Sequence, residues 1–325
     1  MKVFTFNSYH IQVISAVSLY WFISISLVFL NKYLLSSNEL KLNAPLFITW
    51  FQCSTSVILC LLLSYLSQKY QWFYFPRITF EFRKTIKILP LSVMMLMMIT
   101  CNNYALKLVN VSFYFIGRSL TTVFNVIFTY LLLKTSTSLK VMVCCAVIIF
   151  GFWLGVDQEE KLGSLSWKGV LFGVASSAFV ALNAIYTKKK ISVVNDDVWK
   201  LCFYNNINAA IIFFPLIFFT GEFDELKVFP YFFRIQFWLI MIISGVFGFA
   251  IGYVTGLQIQ VTSPLSHTVS GTAKACAQTI IAYFIFSEIK SSLWWCSNII
   301  VMGGSLVYAL VRNKELKERN LQIPK

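Results

Sequence analysis

Long apolar runs dominate the chain, and short polar segments separate them. Ten runs stand out, at roughly 11–34, 45–66, 86–107, 111–133, 138–156, 168–188, 200–220, 233–256, 263–287 and 291–312. A helix needs about 20 apolar residues to cross the hydrocarbon core of a bilayer, and the runs are of that order. A transmembrane barrel would show segments of about 10 residues alternating apolar and polar, and that alternation does not occur here. Pro90 and Pro215, with scattered Gly, Asn, Gln and Ser, interrupt the runs. Membrane helices tolerate such residues because neighbouring helices re-satisfy the backbone. The pattern predicts an all-α integral membrane protein of ten transmembrane helices. The loops are too short to bound a soluble domain, so residues 1–325 are expected to form one polytopic domain with a tail at 313–325. The first run ends Leu30-Asn31-Lys32 and lacks a small-x-small cleavage site. It is expected to remain as a span and not to be removed as a signal peptide.

Two cations break the apolar pattern. Arg118 lies in the fourth run and Lys274 in the ninth, and no acid shares either run. An ionisable group at membrane depth is costly and as a rule faces a cavity or a partner. The first expectation is therefore an anionic ligand supplied from outside the protein. Lys274 is about 11 residues into its run, or about 16 Å at 1.5 Å per residue, near mid-depth, where snorkelling is difficult. Each cation also has a plainer reading. Lys274 would bond backbone carbonyls, and Arg118 would reach the interface or clamp a helix end.

The runs repeat. Shifted by about 153 residues, the chain matches itself: Val28-x-Leu30-Asn31 with Val180-x-Leu182-Asn183, Trp50-Phe51-Gln52 with Phe203-Tyr204-Asn205, and Tyr130, Ser138 and Gly151 with Tyr283, Ser291 and Gly304. The copies cover about 11–156 and 168–312. Five spans per copy is an odd number, so the second copy enters the membrane inverted. Inverted repeats are the architecture of alternating access, with a site near the midplane between the copies. Thr121 then corresponds to Lys274 and Asn125 to Gln278, so the fourth and ninth spans are expected to border one cavity.

Composition sharpens this picture. The chain is 58% hydrophobic and 12% charged, against about 25% charged in soluble domains, and its mean hydropathy is +0.72. With the N-terminus in the cytosol, 17 Lys and Arg fall in cytosolic segments and 8 on the far side. Positively charged loops stay inside, which puts both termini in the cytosol. The net charge of +14 reflects that bias and attraction to anionic membrane lipid. No nucleic-acid partner is expected, because the basic residues sit in short juxtamembrane loops. All eight Cys fall inside predicted spans, where they pack as small hydrophobes. His10 and His267 are the only histidines, so no metal and no cofactor is expected. No nucleophile–base pair or carboxylate pair appears within the spans, so the chain is read as a non-enzyme.

Two segments carry the candidate ligand chemistry. Phe203-Tyr204-Asn205-Asn206 opens the seventh span. Adjacent carboxamides offer donors and an acceptor each, which suits the edge of a guanine, and Tyr204 would stack on a base or bond a ribose. Helix–helix hydrogen bonding is the alternative use of the asparagines. The ninth span opens with Ser263 to Ala275, which includes His267, Ser270, Gly271, Thr272 and Lys274. Its hydroxyls suit phosphate oxygens, and Gly271 permits close approach of a ligand or a helix. His267 shares a face with Gly271, as a ligand-binding or an interior histidine. The glycines at 245, 248, 252 and 256 read as close helix packing, not as a phosphate loop, since no GKS or GKT follows.

With these residues the chain resembles the nucleotide-sugar transporters of the drug/metabolite transporter superfamily. The resemblance runs from about Val13 to Arg312. Phe249 to Ile259, Thr262 to Leu265 and Ser270 to Gln278 look most like the GDP-fucose-transporting members. GDP-mannose carriers are similar too, but place the lysine four residues after the glycine, whereas Lys274 is three after Gly271. One residue turns a side chain by about 100° around a helix. The resemblance implies that Asn205 and Asn206 read guanine while Gly271 and Lys274 hold diphosphate and sugar. It implies a Golgi antiporter that exchanges cytosolic GDP-fucose for lumenal GMP and supplies fucosylation, and it admits a homodimer and an endoplasmic reticulum location. Carriage of another nucleotide sugar or of a triose phosphate is the nearest alternative, and a membrane enzyme or scaffold a remote one. The orientation is testable: protease added outside sealed Golgi vesicles should remove a C-terminal tag, and protection of the tag would contradict the charge argument.

Overall fold

A computed structural model describes residues 2–36, 40, 42–70, 74–134, 138–261, 264–286 and 290–322. These residues hold twelve α-helices, a 3₁₀ turn at Ile191–Val194 and no strand: α1 (Lys2–Ser36), α2 (Pro45–Tyr70), α3 (Phe82–Leu108), α4 (Val111–Arg118), α5 (Leu120–Leu133), α6 (Leu139–Lys161), α7 (Trp167–Lys190), α8 (Val198–Phe219), α9 (Glu222–Val228), α10 (Ile235–Val261), α11 (Pro264–Phe286) and α12 (Ser292–Gln322). Among the described residues, nine segments are long and apolar enough to cross a membrane, with α4 and α5 counted as one. They match nine of the ten predicted runs. The remaining run coincides with α11, where the described apolar stretch is the shorter Ala273–Ile285. The all-α membrane class is thus observed, and the count of ten is not reached.

The helices sort into two compact units. Unit 1 comprises Met1–Lys107 with Asn183–Gln258, and unit 2 comprises Leu108–Leu182 with Ile259–Lys325. Each unit takes helices from both predicted copies. In unit 1 the strongest pairing is α2 with α8, and in unit 2 it is α6 with α12, followed by α4 with α11. These are the pairs that the sequence repeat superposes.

Unit 1 is built around Leu34, Leu42, Ile48, Phe213, Phe237 and Met241, with a second cluster of Cys60, Ile88, Leu91, Phe203 and Tyr204. Gly245, Gly248 and Gly252 of α10 lie against neighbouring side chains, as expected, while Gly256 is outside the described side chains. A Cβ on Gly245 would sit 2.7 Å from Thr55 Oγ1, and one on Gly248 would sit 3.3 Å from Gln52 Cβ. The turn from α8 into α9 passes through Gly221 at φ +75°, a left-handed conformation that glycine adopts without strain. That turn delivers Glu222 to the start of α2. Its carboxylate oxygens accept from Leu46 N–H at 3.1 Å and Phe47 N–H at 2.9 Å, and the residue is 3% exposed. The first N–H groups of a helix have no partner within it, and a negative charge there also complements the macrodipole.

In unit 2, α6 and α12 pack through small residues: a Cβ on Gly151 would lie 2.7 Å from Val301, and one on Gly304 would lie 3.0 Å from Ile148. Their ends are tied reciprocally. Ser138 accepts from Val141 N–H at 3.4 Å to cap α6, and its hydroxyl bonds Glu315 on α12. Ser291 accepts from Trp294 N–H at 3.1 Å to start α12, and donates to Gln158 Oε1 on α6 at 2.9 Å. These two serines are partners in the repeat. Beside the second tie, Lys290 and Glu159 form a deeply buried ion pair, with Lys290 over the Trp294 ring at 4.9 Å. Asn110 and Ser164 also bond Glu159.

Glu222 generates a prediction. Glu222→Ala leaves two buried N–H groups unsatisfied and should destabilise the detergent-solubilised protein by about 1–3 kcal/mol. Burial pushes the Glu222 carboxyl above the usual carboxylate range, against the pull of the two backbone N–H groups. A raised folded-state value means that, on balance, the fold favours the protonated carboxyl, a benefit that is full below the unfolded-state value and is lost as pH rises through the folded one. Acidification should therefore raise the melting temperature of the parent protein relative to Glu222→Gln. A pH-independent difference between the two would contradict the assignment.

Candidate functional site

Unit 2 brings together the two cations that the sequence singled out. α4 ends at Arg118, and the helical bonding tightens across Ser119 before α5 resumes: Ser119 N–H donates to Ile116 O at 3.1 Å and Thr122 N–H to Ser119 O at 3.0 Å. Such a break sits safely inside a membrane only where neighbours supply the missing partners. Here the Ser177 hydroxyl of α7 donates to Gly117 O at 3.0 Å. Arg118 lies at the C-terminal end of α4, where the macrodipole favours a cation. Its Nη1 donates to Tyr114 Oη at 3.0 Å, and the guanidinium lies 5.9 Å from that ring's centroid. α11 packs against α4, and Lys274, buried at 9% exposure, comes within electrostatic reach of Arg118. Two like charges repel most where water screens least, and an anion beside both relieves that repulsion.

Around these cations lie groups suited to a phosphorylated ligand. Ser270 is half-buried on α11. A Cβ on Gly271 would meet no described atom within 4 Å, so no described neighbour requires a glycine there, unlike Gly151 or Gly304. Thr121 Oγ1 on α5 and Gln278 Nε2 on α11 are buried with no hydrogen-bond partner among the described residues. The backbones of His267 and Thr272 belong to α11, but their side chains lie outside the described residues. Asn125 lines a small cavity of about 100 Å³ in the same unit, with Thr129, Tyr308 and Arg312.

The asparagine segment belongs to unit 1, on α8. The Asp197 carboxylate starts this helix by accepting from Trp199 N–H at 2.9 Å and Lys200 N–H at 3.3 Å. Tyr204, predicted to stack on a base or bond a ribose, is 2% exposed. Its hydroxyl donates to Thr79 O at 2.6 Å and accepts from Glu81 N–H at 3.1 Å, so it ties the segment before α3 to α8. Asn208 is helix glue, donating to Thr85 O and to Ser92 Oγ, each at 3.0 Å. Asn206 is half-buried and donates back to Cys202 O at 2.9 Å. Asn205 differs. Its Nδ2 donates to Met95 Sδ at 2.9 Å, while its Oδ1 is buried without a partner among the described residues. Asn183 Oδ1 on α7 is in the same condition. Sequence reasoning used Asn183 only as a repeat marker, and its correspondence to Asn31 was the signal that set it apart.

No group of three or more His, Cys, Asp or Glu able to hold a metal ion occurs among the described residues. The arrangement is that of a multi-span helical membrane protein with a buried and a half-buried cation in one unit and buried amide acceptors in the other. The chain belongs to the Triose-phosphate Transporter family, whose sequence model matches residues 11–309. It is 55% identical over 309 residues to the GDP-fucose transporter 1 of Nematostella vectensis, covering 95% of this chain and 91% of that one. It is also 55% identical over 309 residues to the GDP-fucose transporter of Caenorhabditis elegans, covering 95% and 85%. The Drosophila melanogaster protein named GDP-fucose transporter, Golgi, is 47% identical over 315 residues, covering 96% and 94%. One solved crystal structure, 12% identical, superposes with a TM-score of 0.56 over 95% of this chain and 98% of its own, a likeness of fold alone.

Gly271 offers a test that separates packing from ligand approach. Gly271→Ala should fold normally and gain up to about 1 kcal/mol of stability from helix propensity. Transport should nonetheless fall severalfold, because the methyl group occupies space a ligand would enter. Unchanged transport would assign Gly271 to the helix alone.

Proposed function

We propose that this protein imports GDP-fucose into the Golgi lumen in exchange for GMP, by alternating access and without covalent chemistry. The observation that carries the reading is the packing of α11, which holds buried Lys274, against α4, which ends at Arg118. A buried cation beside a half-buried one suits an anion of more than one charge, and a nucleoside diphosphate sugar brings two phosphates. Lys274, Arg118 and the Ser270–Gly271 backbone and hydroxyl hold the diphosphate, with His267 and Thr272 placed on the same helix. Asn205 and Asn206 read the base, and Tyr204 holds α8 in position for them. The names of the relatives supply the fucose.

The family's description includes triose phosphates, and a triose phosphate would also satisfy the cations. The buried acceptor of Asn205 favours a nucleotide, because a sugar phosphate has no base to donate to it. Exchange follows from charge balance. A ligand anion accompanies the cations in each direction, so the loaded form crosses between inward and outward states more readily than the unloaded one. Both termini and most of the basic loops belong to the cytosolic face in this reading.

The test is GMP-driven GDP-fucose uptake into proteoliposomes, with GDP-mannose, UDP-galactose and a triose phosphate as competitors. Lys274→Gln should fold and insert, since removing a charge from membrane depth relieves a cost. Uptake should fall about 10- to 100-fold, the equivalent of one charge-assisted bond to phosphate. Lys274→Arg should rescue poorly, because a planar fork does not fit a place shaped for a compact ammonium. Near-normal uptake by Lys274→Gln, or competition by triose phosphate equal to that of GDP-mannose, would defeat the proposal.

A further inference from the structure

The sequence repeat permits a comparison of one polar cluster with its counterpart. In the first copy, Asn31 on α1 and Gln52 on α2 satisfy each other: Gln52 Nε2 donates to Asn31 Oδ1 at 2.8 Å and to Ser244 Oγ on α10 at 2.5 Å. Ser244 Oγ donates in turn to Asn31 Oδ1 at 3.4 Å. All three residues are buried, at 7%, 8% and 0% exposure. This is a closed network, the usual fate of amides between membrane helices. The repeat superposes Asn31 on Asn183 and Gln52 on Asn205. In the second copy the same two positions, on α7 and α8 of unit 1, each hold a carboxamide oxygen that is buried without a partner among the described residues. An unsatisfied buried acceptor costs about 1–3 kcal/mol, so two at the positions where the first copy closes its network indicate that a donor arrives from elsewhere.

The chemistry of the donor follows from the count. The corresponding residues of the first copy lie one hydrogen bond apart, so a donor that serves both positions of the second copy would offer two N–H groups side by side. Guanine carries adjacent N1–H and N2–H₂ donors on its Watson–Crick edge. Adenine and cytosine present one exocyclic amine beside ring acceptors, and uracil presents a single N–H. We infer that Asn183 is a second base-reading residue, and that its Oδ1 and the Oδ1 of Asn205 together accept from the N1–H and N2–H₂ of guanine. The inference rests on the proposal that the protein binds a guanine nucleotide, and adds the residue that selects it over other purines. Both oxygens are sealed from water in this conformation, so the base reaches them as helices part, which alternating access provides.

Inosine monophosphate tests this directly, because hypoxanthine keeps N1–H and lacks the 2-amino group. GMP and IMP are to be compared as competitors of GDP-fucose uptake by the full-length protein in proteoliposomes. The parent protein should prefer GMP by about tenfold, the worth of one hydrogen bond in a buried site. Asn183→Ala and Asn205→Ala should each weaken GMP competition by about tenfold, and one of the two alone should lose the preference for GMP over IMP. Asn183→Asp, which keeps an acceptor oxygen in the same shape, should retain that preference and covers the case in which the alanine variant fails to fold. Unchanged GMP competition in Asn183→Ala beside a loss in Asn205→Ala overturns the inference and leaves base reading by Asn205 standing. An equal collapse in Asn183→Asp assigns Asn183 to helix packing and likewise overturns it. Unchanged competition in both alanine variants defeats base reading altogether.

Discussion

Polar atoms inside a bilayer must find their partners within the protein, and this structure is organised by that demand. It restricts the chain to helices, and it explains what sits wherever a helix starts, stops or breaks. Glu222 covers the first N–H groups of α2, Ser177 covers the carbonyl left by the break after α4, and Ser138 and Ser291 cap α6 and α12 reciprocally. Buried amides between helices close on one another, as Asn31, Gln52 and Ser244 do. The deepest ion pair, Lys290 with Glu159, is embedded among further hydrogen bonds, the condition under which a buried pair is tolerable.

Against that background the departures stand out. Among the described residues, the carbonyl oxygens of Asn183 and Asn205 in unit 1, and Thr121 Oγ1 and Gln278 Nε2 in unit 2, are buried polar atoms without partners. Lys274 and Arg118 set two cations on helices that pack against each other. The discontinuity after Arg118 places a helix C-terminus at one of these cations. A sequence under selection for stability alone would close these places, as its other copy does at Asn31 and Gln52.

Much of this was legible in the sequence, for physical reasons that differ between residues. The spans were readable because hydropathy over about 20 residues is a strong signal. Lys274 and Arg118 were readable because a charge within such a run needs an explanation. Asn205 was singled out together with its neighbours in the motif, but these are not alike: Tyr204 and Asn208 are consumed by bonds to the backbone of distant segments, and those partners cannot be seen in a local pattern. The break at Ser119 left no mark, since Gly117-Arg118-Ser119 contains no proline. Nothing in the local pattern marks Glu222, which the turn at Gly221 brings to the start of α2. The repeat was visible as spacing, yet spacing does not say which helices touch, so the sorting of helices from both copies into each unit emerged only with the coordinates.

That sorting bears on how the protein is made. Unit 1 begins at the N-terminus but is not complete until Gln258, and unit 2 begins at Leu108 and is completed only by the last helix. During synthesis the early helices therefore wait in the lipid while more than half the chain is still to leave the ribosome. They depend on partners encoded far downstream, and contacts of long sequence separation form slowly. A ribosome that stops anywhere before Gln258 releases no finished unit at all. Such a product carries exposed amides, caps without helices and helices without caps, and it is recognisable to membrane quality control as waste, not as half a carrier.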